Sequence, residues 1–371
     1  MYSQDIIIVG AGVIGLSTAY TLAKSKIRVS LVDQYLPFRK ASWAGAGIIP
    51  PGNPIHAKNP VDWLRAKSAQ LFPELSSELL QLTGINNGYT ICGGLELTQE
   101  FDEMSEQGFQ QENINFKRVD APELHSSFPH ISKKFEKAIH FQDMAQIRNP
   151  RHLKALTKAC ISLGVKIYND CKITGLLRKG EKIIGLDSES GVFTADQFII
   201  TTGCWSGIFL KQEQIDANIF PIKGQMLLLQ SSLKLKEIIL NGKMYIVPRR
   251  DDLVLVGSTE EDVGFNPSTS SDARDLLFKT ACDIIPDIEK AKIIDQWSGL
   301  RPASSNGRPL IGKSPFSENL YFATGHFRQG LQTSPATAMV IKSLLLGEKT
   351  EFNPGYFMHT THQDTKSLFQ S

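Results

Sequence analysis

"DIIIVGAGVIGLSTAYTLAKSKIRVSLVD", residues 5–33, reads as strand, glycine turn, helix and strand in that order. Ile6 to Val9 is a short unbroken apolar run, the pattern of a strand buried on both faces. Gly10, Gly12 and Gly15 then fall in the spacing Gly-x-Gly-x-x-Gly, a helical stretch follows to about Lys24, and a second strand from Val29 to Val32 ends on Asp33. In such a βαβ unit Gly10 permits the tight turn, Gly12 lets the backbone approach a pyrophosphate, and Gly15 lets helix pack on strand. The helix N-terminus faces the phosphates with its partial positive charge, and Asp33 lies where a carboxylate accepts hydrogen bonds from an adenosine ribose. The order strand, turn, helix, strand, acid favours dinucleotide binding over glycines that merely pack a helix on a sheet.

No charged residue occurs from Ile6 to Ala23, a length that resembles a secretory apolar region or a marginal membrane span. The preceding Met-Tyr-Ser-Gln-Asp supplies no positive region, and the three glycines break the run, so neither is expected. The chain has 371 residues, 41% hydrophobic and 21% charged, which is long enough for two cores. Forty basic residues against 38 acidic ones give a net charge of +2, far from the one-sided balance that nucleic acid or a membrane surface calls for. A small-molecule partner is favoured. The five cysteines, Cys92, Cys160, Cys171, Cys204 and Cys282, are odd in number and form no Cys-x-x-Cys. Neither a disulfide framework nor a zinc site is indicated, and a reducing cytoplasm fits.

The stretch "KASWAGAGIIPPGNP", Lys40 to Pro54, is rich in small residues, as if backbone lay against a flat ligand. A nicotinamide enzyme would more usually continue into further helix and strand repeats. Two later strands end on glycine, "QFIITTGCWSG" with Gly203 and "NLYFATGHFRQG" with Gly325. Carboxyl ends of parallel strands meet at a ligand crevice, so distant strands can close on one long, buried cofactor. Further on, Gly224 to Gln230, Met244 to Arg249 and Leu253 to Thr259 read as strands of an antiparallel sheet, the last two joined by a polar corner at Arg250, Asp251 and Asp252. A helix from Asp272 to about Ile285 follows. A second inserted region is expected from about Glu74 to Phe141, with strands near Tyr89 and Glu96. The predicted division is a discontinuous cofactor domain, 1–75, 142–215 and 297–371, and a substrate domain, 76–141 and 216–296.

The stretches "IIIVGAGVIGLSTAYTLA", "PIKGQMLLL", "MYIVPRRDDLVLVGSTEEDVGF", "WSGLRPASSNGRPLIG" and "LYFATGHFRQGLQTSPATA" resemble, over nearly the whole chain, the FAD-dependent D-amino-acid oxidase superfamily, and within it the glycine oxidase family of thiamine-biosynthesis flavoenzymes. The first is shared by many flavoproteins; the last three in this order are far more specific. The resemblance implies an α/β fold with a glutathione-reductase-type Rossmann-like domain and an inserted α+β domain. It also implies noncovalent FAD, oxidation of a small amino acid to an imine, and reoxidation of the flavin by O2 with release of H2O2. Assembly as a homo-oligomer, a tetramer by resemblance, belongs to the same expectation.

Arg301 in "SGLRP" offers a rigid fork that matches a carboxylate with two parallel hydrogen bonds, and the Tyr245 hydroxyl can add a third. Resemblance assigns these two residues the same task, fixing the substrate carboxylate so that the amine and Cα–H lie over the flavin. The plainer alternatives are an ion pair for Arg301 and a packed strand tyrosine for Tyr245. No general base is evident, and a water-poor pocket that lowers an ammonium's pKa would suffice.

In "ATGHFRQGLQTSPATA" the residues His326, Phe327, Arg328, Gln329, Gly330, Leu331 and Gln332 are expected to wrap the flavin ring. Ser334 and Pro335 read as N-cap and first residue of the last helix. Arg328 either touches substrate or closes the loop by a salt bridge. The remaining candidate FAD contacts are Val13, Ile14, Gln34, Ala41, Ser42, Ala46, Gly47, Ile48 and Ile173.

Lys243 stands where the glycine oxidase pattern has a histidine, and Glu260 where it has a methionine. Both are expected near the pocket mouth, leaving glycine, sarcosine, small D-amino acids and proline-like imino acids open as substrates. A flavin dehydrogenase serving a quinone or carrier is disfavoured by the lack of a basic amphipathic segment, and a binding protein without catalysis by the Tyr245 and Arg301 pair. No metal is expected: His359 and His362 sit in a polar tail without a supporting cluster. "GCWSG" lacks the geometry of a nucleophile elbow, Cys204 reads as a small buried residue near the cofactor, and Arg249 with Arg250 reads as a solvated hairpin corner.

Overall fold

The computed structural model describes residues 5–35 and 40–358. His359 and His362 lie outside the described residues. Two sheets dominate. The first has six strands in the order Leu310–Lys313, Leu320–Thr324, Gln197–Ile200, Asp5–Val9, Arg28–Val32 and Lys166–Tyr168, all neighbours parallel except the first pair. Its central strand shows why the opening run is apolar throughout. Ile6 and Ile8 enter a core shared with helices Val13–Lys24, Pro60–Thr83, Asn149–Ser162 and Gly330–Leu346, while Ile7 and Val9 enter the core on the opposite face with Phe198, Ile200, Phe209 and Phe322. A strand with helices over one face and other elements over the other has no solvated side to spend polar residues on.

The second sheet has eight strands, in the order Lys292–Ser304, Ile219–Gln230, Leu253–Gly257, Met244–Pro248, Ile238–Asn241, Gly94–Thr98, Lys137–Phe141 and Phe116–Asp120. Only the pair Ile238–Asn241 and Gly94–Thr98 is parallel. Helix Ser271–Ile284 covers one face, packing Leu277, Ala281 and Ile284 against Leu227, Leu229, Val254 and Val256. Ser270 caps it by accepting from the Ala273 N–H, so it begins one residue before the expected start. The other face carries Met226, Val247, Leu255, Tyr245 and Trp297 and turns towards the first sheet.

Two expected boundaries fall inside elements. Helix Pro60–Thr83 runs unbroken through residue 75 because Leu64, Phe72 and Leu79 continue one apolar face into the core of the first sheet. Strand Lys292–Ser304 runs through residue 297 because it pairs along its length with Ile219–Gln230, setting Arg301 opposite Ile222. Arg301 is therefore a residue of the antiparallel sheet, on the strand that leads back to the first one.

Candidate active site

The carboxyl ends of the parallel strands and the inner face of the eight-stranded sheet enclose a cavity of about 700 Å³. That is within the range of small-molecule and cofactor sites, roughly 300–1,000 Å³. Of the expected contacts, Gly10, Gly12, Val13, Ile14, Asp33, Gln34, Ala41, Ser42, Ala46, Gly47, Ile48, Ile173, Gly203 and the whole run His326 to Gln332 line it. Gly224, Met226, Tyr245, Ser258 and Arg301 line it from the second sheet. Gly15 and Gly325 do not. A Cβ on Gly15 would lie 1.9 Å from the Gly10 carbonyl oxygen, so this glycine serves the contact between helix and turn. Gly325 borders an adjoining cavity and packs against Ile219.

The turn after the first strand is held by groups from elsewhere in the chain. Gly10 has a φ of +105°, and a Cβ there would meet the Thr201 carbonyl oxygen at 2.6 Å. The Thr201 hydroxyl donates to the carbonyls of Val9 and Gly10, each at 2.9 Å. Asp33 accepts the Ala11 N–H at 2.6 Å and the Tyr35 N–H at 2.8 Å, tying the glycine turn to the end of the second strand. Burial raises its pKa above the ordinary carboxylate value, with the Ala11 and Tyr35 N–H groups and Lys40 pulling it back. Ser42 accepts the Val13 N–H at 3.0 Å, one of the donors that a helix start leaves free.

Small residues from 40 to 54 have a second cause besides a flat ligand. Asn149 donates to the Ser42 carbonyl at 2.7 Å, Trp297 to that of Ala44 at 3.1 Å, and Arg249 to that of Ala46 at 2.7 Å. These bonds draw the segment against its neighbours, and at Gly47 the approach leaves no room for a side chain: a Cβ there would lie 2.1 Å from the Ile147 oxygen. Arg249 is consequently no solvated corner. It also bonds Gln146 and the Ile147 carbonyl, and burial lowers its pKa to about 10. A main-chain acceptor distant in sequence leaves no local signal, so Arg249 resembles a solvated corner in sequence alone.

The last helix begins earlier than Ser334 and Pro335 imply: it spans Gly330–Leu346, with Gln329 as N-cap. Pro335 has no N–H for the Leu331 carbonyl, and the Ser334 hydroxyl donates to that carbonyl instead, at 2.9 Å. The Ser-Pro pair thus repairs a gap in the second turn, and the free N–H groups of the helix start lie at the cavity wall. Gln332 Nε2, His326 Nδ1 and Asn149 Oδ1 are buried without a partner among the described residues, and all three residues line the cavity. Buried polar atoms are normally satisfied, so these await a polar ligand. Glycine turn, helix starts, unsatisfied polar side-chain atoms and an extended, mostly apolar cavity fit an anionic dinucleotide with a flat ring, as FAD is. Cys204 is buried in the same wall, its thiol pushed up to about 12 by burial.

At the opposite wall Arg301 and Tyr245 come together. The guanidinium lies flat on strand Ile219–Gln230, where a Cβ on Gly224 would sit 2.0 Å from Nη2. Nη1 donates to the carbonyls of Thr259 at 3.1 Å and Lys223 at 3.5 Å, and Nη2 to the Ser258 hydroxyl at 2.7 Å. No carboxylate pairs with Arg301 among the described residues. Burial lowers its pKa, with Tyr245 and then Glu261 working the other way. Among the described residues the Tyr245 hydroxyl donates to Met226 Sδ, at 3.2 Å. Gly257 makes the room: a Cβ there would be 2.6 Å from the Tyr245 ring. Gly224, Ser258 and Met226 were not singled out from sequence, although Gly224 stands in the quoted "PIKGQM".

Arg328 forms an ion pair with Glu260, which also takes Lys243 at 3.2 Å. These three line a second cavity of about 410 Å³ that shares His326, Phe327, Arg328 and Gln329 with the first. His326 donates to or accepts from Thr337 through Nε2 at 3.2 Å, and burial lowers its pKa to about 3, so it is neutral. No group of three or more metal-ligating side chains occurs among the described residues, nor any helix long and apolar enough to cross a membrane.

The family model described as DAO, FAD dependent oxidoreductase, matches residues 5–344. The chain is 33% identical to the glycine oxidase of Pseudomonas putida over 356 residues, covering 95% of this chain and 97% of that one. It is 30% identical to the bifunctional protein ThiO/ThiG of Trichormus variabilis over 98% of this chain and 56% of the relative. The crystal structure of glycine oxidase from Bacillus cereus superimposes with a TM-score of 0.90 at 25% identity, over 97% of this chain and all of that one. With the nucleotide turn and the long cavity in place, these matches establish that the chain belongs to the DAO family of FAD-dependent oxidoreductases.

Proposed function

We propose that this enzyme oxidises a small amino acid, such as glycine, sarcosine or a small D-amino acid, to the imine and thence the 2-oxo acid. Its electrons pass to O2 to give H2O2, and the product serves thiamine biosynthesis. The observation that carries the reading is Arg301, a half-buried cation with no ion-pair carboxylate among the described residues, facing a cavity beside a tyrosine hydroxyl. A partly desolvated cation without a direct ionic partner is costly, and a substrate carboxylate lowers that cost. The names of the most similar relatives, glycine oxidase and ThiO/ThiG, support the same substrate class.

The flavin, when bound, supplies the two-electron acceptor. The chain supplies orientation. Thr259, Lys223 and Ser258 fix the Arg301 fork by three bonds, leaving its other donors for a carboxylate. Tyr245 gives up little to join them, since a thioether is a weak acceptor. Met226, Leu300 and Pro302 keep the wall apolar, which lowers the pKa of a substrate ammonium and favours the neutral amine, whose lone pair forms the C=N bond as hydride leaves Cα. Asp33 is committed to the nucleotide turn and His326 to Thr337, so positioning carries the chemistry. We also propose that the first sheet and its helices form the FAD-binding unit and the second sheet the substrate-binding unit.

The test is direct. Purified protein should be yellow and should form H2O2 from sarcosine or glycine in air. Arg301→Ala should keep the flavin and raise KM by roughly ten- to a hundredfold, the worth of a charge-assisted pair. A colourless protein, flavin that stays bleached in air, or an unchanged KM would each refute part of the reading.

A further inference from the structure

One carboxylate, Glu260, sits between two cations at the junction of the two cavities. Its Oε1 lies 3.2 Å from Lys243 Nζ, and its Oε2 pairs with Nη2 of Arg328, a residue that lines both cavities. Lys243 precedes the strand of Tyr245, Glu260 follows the strand of Gly257, and Arg328 belongs to the loop after the last parallel strand. The trio therefore bridges the two sheets two residues from the tyrosine proposed to bind substrate. Its net charge is +1, and the anion it already holds is shaped like the distal carboxylate of a dicarboxylic amino acid.

We propose that Glu260 is a specificity-determining residue: its carboxylate occupies the place on Arg328 and Lys243 that a second substrate carboxylate would take, so the enzyme prefers amino acids with a single carboxylate. This rests on the amino-acid reading above. A substrate with a second carboxylate must displace Glu260 or sit against a like charge, and like charges in one site are strongly disfavoured. Neutralising Glu260 leaves both cations unopposed while preserving the shape of the side chain.

Sarcosine and iminodiacetate provide the probe, because they differ by one carboxylate on the N-substituent. The readout is the ratio of kcat/KM for iminodiacetate to that for sarcosine, alongside flavin absorbance. Glu260→Gln is expected to raise the ratio by roughly tenfold or more, the worth of a charge-assisted contact, mainly through KM and less at high salt. Lys243→Met, at a side chain 72% exposed, is expected to lower the ratio several-fold. Opposite signs for the two variants are a signature that altered packing would not give. A ratio that stays constant in both, or moves the same way in both, overturns the proposal while sarcosine oxidation still stands. Failure of the unmodified enzyme to oxidise either compound overturns the amino-acid reading and this proposal with it.

Discussion

Gly224→Ala tests the carboxylate clamp without substituting a charged residue. A Cβ at residue 224 would lie 2.0 Å from Arg301 Nη2 and 2.2 Å from Cζ and Nη1, so the guanidinium must leave the strand. The atoms that have to move are the far end of a long side chain, and alanine suits an extended strand better than glycine does. The fold should therefore tolerate the change within about 1 kcal/mol. The fork, in contrast, loses its three fixing bonds to Thr259, Lys223 and Ser258. If a displaced fork keeps one of two charge-assisted bonds to the substrate, the loss is about 1.5–3 kcal/mol, or roughly a 10- to 150-fold rise in KM. Peroxide-coupled kinetics with sarcosine, flavin absorbance and thermal unfolding measure the three quantities separately. A variant that keeps flavin, melting temperature and KM all unchanged would show that Arg301 does not hold the substrate from this position.

Two further outcomes follow from buried groups. Gly15→Ala should cost at least about 1–3 kcal/mol and yield protein deficient in flavin, because its Cβ would meet the backbone oxygen of Gly10 at 1.9 Å and backbone cannot swing aside; urea unfolding and visible absorbance check this. Buried His152 and His326 have pKa values lowered to about 3, so below pH 6.5 the unfolded chain binds protons that the folded chain refuses. Stability should thus fall with pH across the window from 6.5 to 3, by about 1.4 kcal/mol per unit for each histidine once well below 6.5. A urea midpoint that stays constant between pH 6.5 and 4 would contradict it.

The nucleotide half of the site was legible because its physics is local. Gly10 is forced by its own φ of +105° and Gly15 by its 1.9 Å approach to the Gly10 carbonyl oxygen, both within one βαβ unit, and Asp33 closes that unit onto the Ala11 N–H; the contacts of Gly10 with Thr201 and of Gly12 with Ser42 come from outside it. The Ser334 and Pro335 pair misled for an equally local reason: it is a sound helix start, yet here the Ser334 hydroxyl replaces the N–H that Pro335 lacks, and the helix starts at Gly330. Arg249 misled because its acceptors, at 46, 146 and 147, are remote in sequence.

Composition and spacing by themselves determined an α/β chain with a dinucleotide turn, a later antiparallel sheet and two candidate arginines, since turn geometry and strand burial depend on neighbours along the chain. Only tertiary structure decided which arginine is paired. Arg328 meets Glu260 across the two sheets, whereas Arg301 lies over Gly224 with no carboxylate at ion-pair distance among the described residues. Charge compensation depends on distance in space, and that distance is set when the two sheets close on one cavity.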